Sequence, residues 1–382
     1  MVESRDKSAF EMRAIGVIPS KREVSEIAHE TPRIVSGKEV KVRSIEVGIC
    51  GTDREICTFV YGAPPTGSEY LVLGHESLGE VVEVGDEVST LKPGDLVVPS
   101  VRRPCPHHHC APCRADLQDF CATGDFIERG IKMTHGFMTE YYVDEEKYLN
   151  YVAPTLRDVA VLVEPLTVAE KGLAQVWQVQ QRLPWANPNG SPETGRGRGL
   201  RAVVLGAGPV GILGAMKLVS EGFQTWVYSR SKAPNFKSEV VESFGAKYIS
   251  SESVSVEELA ERVGNIDLVY EALGVSRVSF DVMKVLGTNG AFVFTGIPAP
   301  RPAIHVEADV IMRNVVLKNQ LVIGTVNADS AAFRSAIQDL DLFIRRWPAT
   351  LRSLITGRHK IDSYRELLLG KATGIKNVIS FG

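Results

Sequence analysis

The 382-residue sequence has no apolar run that approaches the roughly 20 residues of a membrane-spanning helix. It also has no strong charge imbalance, since 43 lysines and arginines against 46 aspartates and glutamates give a net charge of −3. This balance gives no electrostatic argument for nucleic acid or an anionic membrane as a partner. The first residues, Met1 to Lys7, are polar and lack the apolar segment of a secretory signal. We therefore expect a cytoplasmic protein that binds neither nucleic acid nor membrane.

Cysteine is also scarce, because six residues in a chain of this length cannot form a disulfide scaffold. Four of the six lie close together in sequence, at Cys105, Cys110, Cys113 and Cys121. Such a cluster in a reducing compartment is typical of a metal site, and a structural zinc takes four thiolates or three thiolates and a histidine. The first ligand is Cys105 or His107, and we prefer Cys105 because it makes an all-cysteine set. The alternative is four unrelated free thiols.

Composition is that of an ordinary globular protein, with 44% hydrophobic and 23% charged residues, and the length predicts two or three domains. Short β-branched segments separated by turns predict a β-rich first domain, and alternating strands and helices after residue 200 predict a parallel α/β sheet. A run rich in Gly and Pro at 185–199 predicts the boundary. We predict strands at 39–48, 70–73, 78–84, 95–99, 201–205, 225–228, 246–249, 267–270, 291–295 and 321–326, and helices between 157 and 180.

A histidine and a glutamate stand side by side at the end of an apolar run, at His75 and Glu76. Neighbouring residues of a strand point to opposite faces, so both can bind one metal only where the strand ends or bends. Cys50 lies upstream in a glycine-flanked turn, and Glu164 ends another apolar run downstream. Cysteine, histidine and glutamate form a plausible catalytic zinc set with one open position. The alternative is a surface His–Glu pair and a buried free cysteine.

A glycine triad, Gly206, Gly208 and Gly211, with Pro209 and Val210 between them, follows a predicted strand and opens a predicted helix. This context predicts a dinucleotide site, with the pyrophosphate at the helix N-terminus. An NAD site usually has Asp or Glu at the end of the next strand, to bind the ribose. This chain has Ser229, Arg230, Ser231 and Lys232 there, which suit a 2′-phosphate. NADP is therefore favoured, NAD is possible, and a solvated charged loop is the alternative.

Taken together, these residues resemble the zinc-dependent medium-chain dehydrogenase/reductase superfamily, and within it the glucose 1-dehydrogenase branch. The signature is Gly74-His75-Glu76 with Gly79 and Gly85. The branch is indicated by the segments 50–55, 101–103, 124–131, 135–138 and 163–166. The resemblance implies an α/β fold, with a GroES-like catalytic domain at 1–188 and 326–382 that contains the zinc lobe at about 102–125. A doubly wound Rossmann sheet is expected at 189–325.

The same resemblance implies roles for individual residues. Cys50, His75 and Glu164 would bind the catalytic zinc, with Glu76 in or near its coordination sphere, and Thr52 would relay the proton. Glu128 and Asn327 match positions that contact sugar hydroxyls, and we expect them from the two sides of an interdomain cleft. The alternative is that Glu128 pairs with Arg129 or Arg103 and that Asn327 caps a helix.

The resemblance further implies an enzyme that transfers hydride from C1 of an aldose to NADP or NAD and yields the aldonolactone. A homodimer or homotetramer is expected. The main alternative is a polyol, threonine or general alcohol dehydrogenase with the same zinc and the same fingerprint. A non-catalytic NADPH-binding sensor and a zinc-free quinone reductase relative are further alternatives.

Overall fold

The computed structural model describes residues 11–183, 195–299 and 301–381. It divides into two compact units. Unit 1 comprises residues 1–164, 327–341 and 355–382, and unit 2 comprises 165–326 and 342–354. The sequence placed the boundary at 188/189, in a run whose residues 185–194 lie outside the described part of the chain. No helix in the described ranges is both long and apolar enough to cross a membrane.

Unit 1 is predominantly β-structure. In chain order its first elements are β1 (Glu11–Ile18), β2 (Glu23–Glu30), β3 (Glu39–Gly48), α1 (Gly51–Ile56), β4 (Leu71–Val72), β5 (Glu76–Val84), β6 (Leu96–Pro99), β7 (Arg102–Arg103), α2 (Ala111–Arg114), β8 (Ile127–Arg129), β9 (Met133–Thr134), β10 (Tyr141–Glu145) and β11 (Leu149–Val152). Short 3-10 turns lie at Pro19–Lys21, Gln118–Phe120, Glu146–Tyr148, Pro154–Leu156 and Ala160–Leu162.

Unit 2 follows with α3 (Val163–Gln180), β12 (Arg201–Leu205), α4 (Pro209–Ser220), β13 (Gln224–Ser229), α5 (Phe236–Ser243), β14 (Lys247–Ser250), α6 (Val256–Val263), β15 (Leu268–Glu271), α7 (Ser276–Lys284), β16 (Ala291–Phe294), α8 (Ala308–Leu317) and β17 (Leu321–Gly324). The chain then forms α9 (Ser330–Arg346), α10 (Pro348–Ser353), β18 (Ile355–Lys360), a 3-10 turn at Ile361–Ser363, α11 (Tyr364–Leu369) and β19 (Lys376–Ser380).

The main sheet of unit 1 has the order β11-β6-β5-β3-β19-β18, and β10 also pairs with β3. Its central strand β3 places Gly48 opposite Glu76 of β5 and opposite Val378 of β19. The first residue of β5 therefore meets the C-terminal strand across β3. Buried apolar side chains of β1, β3, β5 and β6 form one core, which includes Ile15, Val42 and Val97. This core makes the ends of β3 and β5 a rigid support.

Unit 2 is a six-stranded parallel sheet in the order β14-β13-β12-β15-β16-β17. This is the strand order of a dinucleotide-binding fold, which binds its ligand at the carboxyl ends of the strands. Helix α3 belongs to this unit because it packs on the sheet, where a Cβ on Gly172 would lie 3.2 Å from Val293. That packing explains why the compact units divide at 164/165 instead of after the helix.

Candidate active site

Three of the predicted metal ligands lie together in unit 1. The ligand atoms of Cys50, His75 and Glu76 are all within 4.8 Å of one another. Cys50 immediately precedes α1, His75 immediately precedes β5, and Glu76 is the first residue of β5. Because β5 begins between His75 and Glu76, the alternation of a regular strand does not apply to them, and both side chains can face the same metal position. His75 and Glu76 are buried, as ligands of a catalytic metal should be.

Asp53 positions two of these residues, and the sequence analysis gave it no role. Its carboxylate accepts hydrogen bonds from the backbone N–H of Cys50 at 2.9 Å and of Gly74 at 3.2 Å. Oδ1 also lies 3.4 Å from Nδ1 of His75. Burial alone would lower the pKa of His75, but Asp53 and the Cys50 thiolate raise it well above its usual value. The available signal was the three-residue spacing from Cys50 to Asp53, which is that of a helix capping box.

Lys376 is a second residue that sequence reasoning missed. Its ammonium donates to Glu76 Oε2 at 2.5 Å and to the carbonyl of Ile49 at 3.2 Å. The exposed fractions of Lys376 and Glu76 are only 2% and 1%. A buried charge is costly unless it is paired, and although burial lowers the pKa of Lys376, the charges around it, with Glu76 the largest contributor, outweigh this effect and raise that pKa.

Gly48 is required by the close approach of Glu76. A Cβ atom at this position would lie 2.2 Å from Glu76 Oε2. Any other residue would displace the carboxylate from Lys376 and from the ligand cluster.

Glu164 and Thr52 lie beside the cluster. Burial raises the pKa of Glu164 to about 7, and the Glu76 carboxylate acts in the same direction, while His75 and Lys376 oppose the shift. Glu164 is therefore within electrostatic reach of the cluster, although the close set of ligand atoms is formed by Cys50, His75 and Glu76. Thr52 is in the first turn of α1, two residues after Cys50.

Glu128 and Asn327 contact each other directly. The side-chain amide of Asn327 donates to Glu128 Oε1 at 2.7 Å. Both residues belong to unit 1, because the chain leaves unit 2 at Val326. The ion-pair partner of Glu128 is Arg102, whereas Arg103 and Arg129 both pair with Asp144. Asn327 caps its own turn by accepting from the N–H of Ala328 at 2.8 Å.

The predicted cofactor residues lie at the carboxyl edge of the sheet in unit 2. Gly206 and Ala207 follow β12, Gly208 caps α4, and Pro209, Val210 and Gly211 form its first turn. A Cβ on Gly211 would lie 2.2 Å from the carbonyl of Gly206, so glycine is needed there. The free N–H groups of the first turn of α4 can face a pyrophosphate.

The charged loop lies at the same edge, since β13 runs parallel to β12. Ser229 ends β13, and Arg230, Ser231 and Lys232 follow it with exposed side chains. The backbone of the loop is fixed, because the carbonyl of Arg230 accepts from Ser250 and that of Ser231 accepts from Tyr248. The loop therefore places both cations at the carboxyl edge of the sheet, beside the glycine loop.

The cysteine lobe forms a second close set of ligand atoms. The sulfur atoms of Cys105, Cys110, Cys113 and Cys121 all lie within 4.8 Å of one another. His107 is outside this set, and its Nε2 lies 2.6 Å from Asp125. The backbone N–H groups of Cys113 and Ala122 lower the pKa of the Cys110 thiol, which favours the thiolate that a metal needs.

Both sets fit zinc by the chemistry of their donor atoms. Four thiolates suit a closed tetrahedral structural site, while Cys50, His75 and Glu76 leave one position open, as a catalytic site does.

Two family models match consecutive parts of the chain. The alcohol dehydrogenase GroES-like domain matches residues 36–154, and the glucose dehydrogenase C-terminus matches residues 157–381. These matches and the sheet topology confirm the predicted fold class, a GroES-like domain combined with a Rossmann-type parallel sheet.

Curated relatives and solved structures match over nearly the whole chain. Glucose 1-dehydrogenase of Methanocella arvoryzae is 35% identical over 372 residues, which is 97% of this chain and 100% of the relative. The enzyme of the same name from Thermoproteus tenax is 35% identical over 370 residues, with 96% and 99% covered. Haloferax mediterranei glucose dehydrogenase, solved with NADP, Zn and gluconolactone, superposes with a TM-score of 0.85 at 30% identity, covering 97% of this chain and 99% of that one. The chain therefore belongs to the zinc-dependent medium-chain dehydrogenases, in the glucose 1-dehydrogenase branch.

Proposed function

We propose that the protein oxidises the C1 hydroxyl of glucose or a closely related aldose with NADP and releases the aldonolactone. The observation that carries this proposal is the buried carboxylate of Glu128. Its Oε1 accepts from Arg102 and Asn327, whereas Oε2 accepts no hydrogen bond from any residue in the described ranges. One oxygen is thus fixed in place and the other is available for a sugar hydroxyl. The names of the relatives and the gluconolactone of the Haloferax mediterranei complex agree with such a substrate.

The metal cluster and the Glu128 pair belong to the same unit. Tyr61 is within electrostatic range of both, because burial and the charge of Glu128 raise the pKa of its hydroxyl, while the charges of Arg102 and His75 lower it. A sugar bound to Glu128 would therefore lie in the same unit as the metal ligands.

Separate groups of residues would activate the C1 hydroxyl, remove its proton and orient the sugar ring. A zinc ion held by Cys50, His75 and Glu76, with Glu164 beside them, would act as a Lewis acid on the C1 hydroxyl. Thr52 would relay the proton that this hydroxyl loses, accepting it while its own hydroxyl proton passes on to solvent. Glu128 and Asn327 orient the ring through its other hydroxyls. Overall, C1 loses a hydride to the nicotinamide and its hydroxyl loses a proton.

NADP would be bound by the glycine loop at 206–211 and by Arg230 with Lys232. A guanidinium can bind a phosphate as a bidentate fork, and the exposed positions of both cations leave them accessible. NAD, which lacks the 2′-phosphate, would lose these contacts and bind more weakly.

The decisive experiment is a panel of aldoses, polyols and simple alcohols assayed with NADP and with NAD. We expect glucose-like aldoses to give the highest kcat/KM. Glu128→Ala should lower kcat/KM for glucose and spare oxidation of a simple alcohol, because buried polar groups discriminate against substrates that lack hydroxyls. Glu83→Ala, which removes an exposed carboxylate of β5, is the control. If ethanol or butanol is a better substrate than every aldose, the alcohol dehydrogenase alternative replaces this proposal.

A second copy of the chain is the partner that the surface of unit 2 favours. Helix α8 has no buried residue, and the exposed fractions of Met312 and Val316 are 67% and 69%. Strand β17 beside it is an edge strand of the sheet. Exposed apolar patches and open edges of this kind mark association surfaces. Met312→Asp should reduce the mass measured by light scattering, while Val35→Asp, at an exposed site in unit 1, should not. A cytoplasmic location stays a prediction.

A further inference from the structure

The guanidinium and the backbone carbonyl of Arg102 together connect the cysteine lobe with Glu128. Its guanidinium donates to Glu128 Oε1 from Nε at 3.0 Å and from Nη2 at 2.9 Å. The third nitrogen, Nη1, donates to the backbone carbonyl of Asp119 at 3.0 Å. The side-chain amide of Gln118 donates to the carbonyl of Arg102 at 3.4 Å. Arg102 is therefore bonded twice to the 3-10 turn that immediately precedes Cys121.

The arginine has little freedom to move. It is buried, it lies opposite Glu128 in the antiparallel pair of β7 and β8, and its guanidinium carbon is 3.7 Å from the centre of the Phe126 ring. Because the planar guanidinium lies against this aromatic ring, the direction of its hydrogen bonds is fixed. Because Oε1 also accepts from Asn327, the same contact fixes the position of the asparagine.

The neighbouring Arg103 is similar in burial but has different partners. Its side chain pairs with Asp144, lies over the ring of Tyr148 and donates to the backbone carbonyls of Ser100 and Arg102, but it makes no hydrogen bond with Glu128. Two adjacent buried arginines thus serve different parts of unit 1, which makes Arg103 a matched control for Arg102.

We propose that Arg102 is a positioning residue through which the cysteine lobe sets the affinity for a hydroxyl-rich substrate. A metal bound by the four cysteines would hold the turn at 118–121, the turn holds Arg102, and Arg102 holds Glu128 and Asn327. The lobe therefore acts on substrate recognition as well as on stability. This inference rests on the proposed function, because Glu128 is taken to bind the sugar.

The first test compares Arg102→Lys with Arg103→Lys. Lysine keeps the charge but cannot form the fork, so the loss of a charge-assisted hydrogen bond should raise KM for glucose by roughly tenfold to a hundredfold. The KM for NADP should stay within about twofold of the wild-type value, because the nucleotide is bound by unit 2. Arg103→Lys should leave KM for glucose nearly unchanged. An equal rise in KM for both variants would show a merely structural effect and overturn the inference.

The second test measures binding without turnover. Titration calorimetry with 1,5-anhydroglucitol, a glucose analogue that lacks the C1 hydroxyl, reports affinity for the remaining hydroxyls. Cys121→Ser, with its zinc content measured, should bind this probe at least roughly tenfold more weakly than the wild type. If Cys121→Ser does not fold, Gln118→Met removes one of the two hydrogen bonds between the turn and Arg102 and should weaken binding in the same direction, by a smaller factor.

A double variant then shows whether the lobe acts through Arg102. If it does, Arg102→Lys with Cys121→Ser should bind the probe no more weakly than the weaker single variant, whereas independent effects would multiply. Multiplied losses, or unchanged binding in both single variants, would refute the inference while leaving the glucose activity intact. A wild-type protein that neither oxidises an aldose nor binds the probe would refute the proposed function, and this inference with it.

Discussion

Arg230 is the side chain on which the choice of nucleotide should depend. It follows β13 directly, its side chain is exposed, and its carbonyl is fixed by Ser250. Arg230→Ala should raise KM for NADP far more than KM for NAD, because only NADP offers the 2′-phosphate. A charge-assisted hydrogen bond contributes about 1.5–3 kcal/mol, so we expect roughly a tenfold to hundredfold loss. Steady-state kinetics with both nucleotides at saturating sugar measures the difference.

Arg262→Ala removes another exposed arginine of unit 2, in α6, and is the matched control. It should change neither constant. An equal effect of Arg230→Ala on NADP and NAD would mean that the loop is merely solvated.

Individual site residues were predictable where the signal is local in sequence. His75 and Glu76 are adjacent, and Cys50 lies in a glycine-flanked turn, so their types and order were informative. Lys376 was not predictable, because it reaches Glu76 across a separation of 300 residues through the pairing of β19 with β3. Arg102 was visible as part of a double arginine, but only the strand register shows that it faces Glu128 while Arg103 faces Asp144.

At the scale of elements, the lobe and the turn before α1 should respond differently to loss of a cysteine. Cys50→Ser removes a ligand of the open site and should abolish turnover while leaving the fold largely intact. Cys121→Ser opens the closed set of four thiolates and should lower the thermal unfolding temperature, because a structural zinc contributes folding energy. Metal analysis, activity and thermal unfolding of both variants test this.

The wild-type protein should contain two zinc ions per chain. Fully active protein with one zinc would show that the lobe has no metal-binding role, and a Cys121→Ser variant as stable as the wild type would show the same.

The predicted strands were close to the observed ones where β-branched residues cluster. The segment 201–205 is β12, 39–48 is β3, and 225–228 lies inside β13. The hairpin of β1 and β2 was missed because β2 reads Glu-Val-Ser-Glu-Ile-Ala-His-Glu, a mostly exposed and highly polar strand. Its partner β1 buries most of its residues. Tertiary packing of β1, and not the composition of β2, therefore determines that the two segments form a hairpin.

For the whole molecule, stability should fall as the pH drops below neutrality. Burial, with smaller effects of His29 and Arg129, lowers the pKa of His135 to about 4, and its Nδ1 accepts the N–H of Val72 at 3.1 Å. Above the unfolded value of 6.5 the neutral ring stabilises the fold fully. Between 6.5 and 4 the unfolded chain binds a proton that the folded chain does not, and for this partly exposed ring the loss is about 2 kcal/mol.

Urea unfolding at several pH values in that window measures the loss. His135→Asn keeps an acceptor for Val72 but cannot titrate, so its unfolding free energy should depend less on pH than that of the wild type. His305→Asn, at an exposed site, should behave like the wild type. Parallel curves for His135→Asn and the wild type would refute this assignment.

The order of segments in the chain has a consequence for biosynthesis. Cys50, His75 and Glu76 are synthesised long before Lys376, the counter-ion of Glu76, which lies 300 residues after it on β19. The six-strand sheet of unit 2 is complete by Gly324. The sheet of unit 2 thus needs no residue after Gly324, whereas Glu76 of unit 1 has no counter-ion until β19 has been made. A premature stop codon between residues 325 and 375 would therefore leave the sheet of unit 2 complete and the Glu76 carboxylate of unit 1 without its partner Lys376.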